Sequence, residues 1–140
     1  MRDRGHAAVE LALAAGVLLL PVAVAVLSFG PWSERRVTAE AIAAEATRAV
    51  VLELNHAAGS GVVSAASEAA GLEPASVRVG WCGAPPATIP AGSCPLTRGS
   101  AVSATVEVWT PLVNTPWGHV GGLWVSASHS EPIDLYRSMG

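Results

Sequence analysis

The stretch Arg4-Gly5-His6-Ala7-Ala8-Val9-Glu10 leads directly into residues 11–29, which contain no charged side chain. About 20 apolar residues at a rise of 1.5 Å cross a hydrocarbon core of roughly 30 Å, so this run is long enough to span a membrane as a helix. Trp32 follows where an indole anchors in the interface, and Arg2 and Arg4 ahead of the run favour an N-terminus inside and a C-terminus outside. Arg35 and Arg36 on the far side dilute that signal. Pro21 removes one backbone hydrogen bond and predicts a kink, which a membrane helix tolerates when neighbours satisfy the freed carbonyl. Gly30-Pro31 predicts a break or bend at the interface, with Ser33 capping a new start and Glu34 in its first turn. Ala8, Ala12 and Gly16 recur every four residues and form a small-residue stripe along which another helix can approach. A secretory signal peptide competes with this reading, since Ala23-Val24-Ala25 offers a cleavage site after an apolar run. The length of that run and Glu10 near its start favour a retained anchor.

The chain has 140 residues, enough for one small domain beside a membrane helix. Hydrophobic residues make up 51% and mean hydropathy is +0.43, an excess concentrated before residue 30. All the basic residues are arginines. Beyond residue 30 acidic side chains outnumber them, and no basic patch emerges, which argues against nucleic acid as a partner.

Glu10 is the informative side chain. A carboxylate at the mouth of a membrane helix either reaches back to the headgroups or finds a cation. A cut after Gly5 would create one, because the α-amino group of His6 would then lie one helical turn before Glu10 or be supplied by an adjacent subunit. The segment from Arg4 to Glu10, followed by an apolar helix with Leu20-Pro21 inside it and Ser28-Phe29-Gly30 at its end, resembles the N-terminus of TadE-like pilus assembly proteins. These are minor pilins or pseudopilins of tight-adherence (Flp, type IVb) systems. The resemblance covers residues 4–30. It implies cleavage by a prepilin peptidase between Gly5 and His6, with Glu10 at the fifth mature position and matched to the N-terminal amine of a neighbour during assembly. It implies a single-pass protein of the cytoplasmic membrane, N-terminus inside and C-terminal domain extracytoplasmic, incorporated in a cell-surface pilus or priming its assembly. The implied partners are other pilin or pseudopilin subunits, the prepilin peptidase, the inner-membrane assembly platform and membrane lipid.

Beyond the anchor, residues 34–55 are patterned as a helix, with Ile42, Ala46, Ala49, Val50 and Leu54 in an apolar stripe and Glu40, Thr47 and Arg48 largely off it. Glu45 and Arg48 are spaced to pair weakly on its surface. Residues 55–61 read as a turn, and residues 62–70 as a short second helix closed by Gly71 and followed by Pro74. Three alternating segments then predict strands at residues 76–82, 101–110 and 123–130. Val77, Val79 and Trp81 share one face, as do Val102, Ala104, Val106 and Val108, and Leu123, Val125 and Ala127. The expected fold is therefore α+β and pilin-like: a transmembrane helix continuing into a long amphipathic one, a short helix, and a small antiparallel sheet packed on the long helix. Residues 1–5 form the leader, 6–30 the transmembrane helix and 31–140 an extracytoplasmic domain.

Cys82 and Cys94 flank a Pro/Gly-rich loop. Outside the cytoplasm they are expected to form a disulfide, worth about 3 kcal/mol on the chain-entropy model. A metal site would need two further ligands that the spacing does not supply. His6, His56, His119 and His129 show no ligand spacing and read as ordinary loop or surface residues. Serines, His119 or His129, and Asp134 could be combined on paper into a triad, but no nucleophile elbow is present. Gly118 and Gly121-Gly122 flank a hairpin turn and lack the helix a phosphate loop requires. No catalytic residue, cofactor or small-molecule substrate is expected. Trp109 and Trp124 fall on the polar faces of their strands. Either a bulge or a covering helix accounts for them, or they form, with Trp117 in the following turn, an exposed patch for a partner subunit. A secreted or signal-anchored binding module outside any pilus is the alternative function.

Overall fold

A computed structural model describes residues 4–115 and 117–136. Residues 1–3 of the expected leader and Pro116 of the expected turn lie outside the described residues. The elements in chain order are α1 (Arg4–Glu53), α2 (His56–Ala69), a 3-10 turn (Pro74–Ser76), β1 (Val77–Trp81), β2 (Ala101–Thr115) and β3 (Gly118–Pro132).

The break expected at Gly30-Pro31 does not occur, because α1 runs unbroken through 50 residues with Pro21 and Pro31 inside it. At 1.5 Å per residue that is a rod of about 75 Å. Each proline leaves only one carbonyl, four residues earlier, without its N–H donor, and every other rung can still form. Ser33 caps nothing. Its hydroxyl donates back to the Gly30 carbonyl at 2.9 Å, as a Ser inside a continuing helix does. Leu54 takes a left-handed φ of 52° and ends the rod. Asn55 is then the N-cap of α2, its side chain accepting from the Ala57 N–H at 2.9 Å. Residues 56–61, expected as a turn, are therefore the first turns of α2. Gly59 is among them, and its missing Cβ lets Val50 of α1 and the Trp81 ring close directly onto the α2 backbone.

The sheet is antiparallel, in the order β1-β2-β3. Register is constant from Val77↔Val108 to Trp81↔Ala104, and from Ala101↔Pro132 to Thr115↔Gly118, where only Leu112 and Gly121 drop out of the ladder. The hairpin strands are longer than expected, and Gly121 and Gly122 lie within β3 rather than at a turn. Pro111 explains why β1 begins no earlier. It lacks the N–H that a third strand would need, and β1 begins opposite Val108, short of it.

The predicted inner faces are the observed ones on β1 and β2; on β3 Val125 is buried and Ala127 half-buried, but Leu123 is exposed. Val77, Val79, Trp81, Val102, Ala104, Val106 and Val108 are buried against Ala39, Ile42, Ala43, Ala46 and Val50 of α1 and Val63 of α2. The helix stripe is broader than predicted, since α1 is covered by the sheet on one side and by α2 on another. Thr47 is consequently buried, and its hydroxyl is satisfied by the Ala43 carbonyl at 2.9 Å. For the same reason Glu45 and Arg48 do not meet. Glu45 lines a groove with the end of α2, while Arg48 faces His129 and Glu131 across another.

Cys82 and Cys94 form the expected disulfide, with Cα atoms 5.4 Å apart. The loop it closes folds back along β1. Val79 N–H donates to the Ala87 carbonyl at 2.9 Å and Trp81 N–H to that of Ala91 at 2.9 Å. An outer edge that would otherwise offer free backbone groups is thereby covered.

Candidate functional site

The N-terminal half of α1 makes no use of the domain behind it. All residues from 6 to 26 are exposed, among them Leu11 at 73% and Leu18 at 69%. A helix apolar on every side is stable only inside a core or a membrane. Its most apolar 18-residue window has a mean hydropathy of 2.5 and none of it is buried. This is one candidate membrane-spanning helix near the N-terminus, consistent with single-pass anchoring, and a signal sequence would look the same. The Gly5–His6 peptide bond lies within the described part of α1, at its N-terminal end. His6 and Glu10 are four residues apart and share a helix face. Ala8, Ala12 and Gly16 are exposed along the same rod, and a Cβ on Gly16 would meet nothing.

The outer face of the sheet holds the aromatic residues that strand alternation put on the wrong side. The register has no bulge, and both helices pack on the opposite face. Trp109 and Trp124 are direct cross-strand partners, their rings 5.3 Å apart and edge-to-face. The Arg78 guanidinium lies 3.8 Å from the Trp124 ring centroid, a cation–π contact. Gly122 makes this possible, since a Cβ there would strike the Trp109 ring. The two indoles are half-buried against each other and against Arg78 rather than open to solvent. Thr105 and Ser128 continue the same face with a hydroxyl pair at 2.9 Å. Trp117 does not join this cluster. It sits at the hairpin tip, 93% exposed, seven residues along β3 from Trp124 and so about 24 Å away.

A groove of about 460 Å³ opens between α2, β1 and the disulfide loop, lined by Ser64, Ser67, Glu68, Leu72, Val77 and Thr88 among others. Ser67 is buried and its hydroxyl has no protein hydrogen-bond partner.

His56 is not an ordinary surface residue. Its Nε2 accepts the Cys94 N–H at 2.8 Å, and its ring lies 5.5 Å from that of Trp81. It therefore ties α2, the disulfide loop and β1 together. No motif marked it, because the contact joins residues 38 apart in sequence. Asp134 accepts from the Tyr136 N–H at 2.9 Å in a local turn. Among the described residues, no three His, Cys, Asp or Glu side chains gather to hold a metal ion.

No family model matches the chain, and neither the curated proteins nor the solved structures yield a match.

Proposed function

We propose that the protein is a TadE-like minor pilin or pseudopilin, a membrane-anchored structural or priming subunit of a tight-adherence (Flp-type) pilus or related secretion system. The observation that carries this reading is the unbroken α1 rod, bare and apolar in its first half and roofed by α2 and the sheet in its second. Anchor and domain thus share one continuous helix, which would couple packing between anchors to the placement of the domains.

In this reading the prepilin peptidase cuts between Gly5 and His6, and the stripe of Ala8, Ala12 and Gly16 admits neighbouring helices. A carboxylate drawn into such a bundle carries a penalty of up to about 3 kcal/mol at membrane depth, which a matched ammonium from a neighbour's His6 offsets. The Trp109–Trp124 pair, with Arg78 beside it, is the surface offered to the next subunit on the extracytoplasmic side. Assembly platform, peptidase and lipid are the remaining partners.

Glu10→Ala tests the ion pair. Membrane insertion should be unchanged while incorporation into fibres is lost, and fibre formation equal to that of the native chain would contradict the role given to Glu10.

The groove beside Ser67 favours a second reading, a secreted or signal-anchored extracytoplasmic binding module outside any pilus. Release of the domain after Ala25, with Val26 as its first residue, would support that alternative.

A further inference from the structure

The direction of the β2–β3 hairpin decides what its tip meets. Gly59 of α2 and Trp81, at the end of β1, lie against Ala46 and Val50 of α1. Ala66, Ala69 and Ala70 of α2 instead face Thr38 and Ile42, and Val77, at the start of β1, shares a groove with Ser67 and Leu72. β1 therefore runs from the level of Ile42 toward that of Val50. Val108 and Val125, in register with Val77, mark the near end of the three-stranded region. β2 and β3 continue past that end, toward the bare half of α1.

Trp117 lies eight residues beyond Val125, a reach of about 27 Å at ~3.4 Å per residue. Measured along a helix rising ~1.5 Å per residue, the reach from the level of Ile42 is at most about 18 residues and shorter for an oblique crossing, so the tip comes level with α1 residues between about 24 and 30. That is the outer end of the apolar run, where Phe29 and Trp32 pair at 5.6 Å and Arg36 lies over the Trp32 ring.

The chemistry of the tip suits that level. No Asp, Glu, Lys or Arg occurs between Glu107 and Glu131. Trp117 is 93% exposed, Val120 60% and Leu112 48%, an apolar projection that water alone does not favour. We infer that the hairpin tip seats in the outer headgroup layer of the membrane that α1 crosses, with Trp117 as an interfacial anchor. This rests on α1 being a membrane anchor. Hydrocarbon cannot satisfy the backbone groups at the hairpin edges, so the tip stops among the headgroups. The domain is then held to the membrane at two points, which fixes its tilt.

The test uses the full chain in phosphatidylcholine vesicles. The emission of Trp117 is taken as the difference between the native chain and Trp117→Phe, and that of Trp32 from Trp32→Phe. Quenchers are lipid brominated near the glycerol end of the acyl chain, and aqueous iodide. The expected result is that both tryptophans lose most of their emission to brominated lipid and are shielded from iodide. Quenching of Trp32 by bromine but of Trp117 by iodide alone overturns the hairpin proposal and leaves the anchor standing. Failure of both to respond to bromine overturns the anchor and the hairpin proposal with it. Shielding of Trp117 from both quenchers means that protein, such as a second copy, covers the tip, and overturns the assignment to lipid.

Discussion

Two glycines in one helix should respond to the same substitution with opposite signs. Gly59 is buried where α2 meets α1, and a Cβ there would press on the Val50 side chain and the Trp81 ring. Gly61, two residues on, is exposed, and a Cβ there would meet nothing. Alanine is better than glycine in a helix interior by about 1 kcal/mol, so Gly61→Ala should stabilise the domain by up to that amount. At Gly59 the same gain is opposed by overpacking of about 1–3 kcal/mol. The net expectation for Gly59→Ala is a loss of up to about 2 kcal/mol. Denaturant titration of the full chain in detergent micelles, followed by tryptophan emission, measures both, with Trp81 as the buried reporter. A Gly59→Ala variant as stable as Gly61→Ala would refute the close α1–α2 contact on which the placement of the domain depends.

Further perturbations address the other joints. Replacing Cys82 and Cys94 together by Ser should lower stability by about 3 kcal/mol, and amide exchange of Val79 and Trp81, whose N–H groups donate to the loop, should accelerate. His56→Ala leaves the Cys94 N–H without its acceptor, a loss of about 1–3 kcal/mol that the same titration reads, together with faster exchange at Cys94. Arg78→Met removes the cation over Trp124 and should cost about 0.5–1 kcal/mol, while iodide quenching of Trp124 increases.

Periodicity carried most of the fold and little of the connections. The strand faces were legible because Val102, Ala104, Val106 and Val108 alternate with polar residues, and all four are buried. The continuity of α1 was not legible, because Gly30-Pro31 is locally a helix breaker. A single missing hydrogen bond in a rod of this length is tolerated when apolar surroundings or a docked domain favour helix on both sides. Thr47 falls largely off the predicted apolar stripe, and one helix stripe cannot reveal that a second helix covers the flank. Gly59 looked like a turn residue and is a contact residue, a distinction that exists only once α1 and α2 are placed together. The outward tryptophans were correctly placed on the strands. Their mutual stacking depends on a cross-strand register that no local pattern encodes, and the separation of Trp117 from them on the length of the hairpin. His56 was missed because its partner, the Cys94 backbone, carries no side-chain signature.

The proposal that α1 is a processed pilin anchor meets its most direct test in N-terminal sequencing of the mature chain recovered from membranes. It predicts His6 as the first residue, with Glu10 fifth. Val26 as the first residue, or a chain that still begins at Met1, would contradict it.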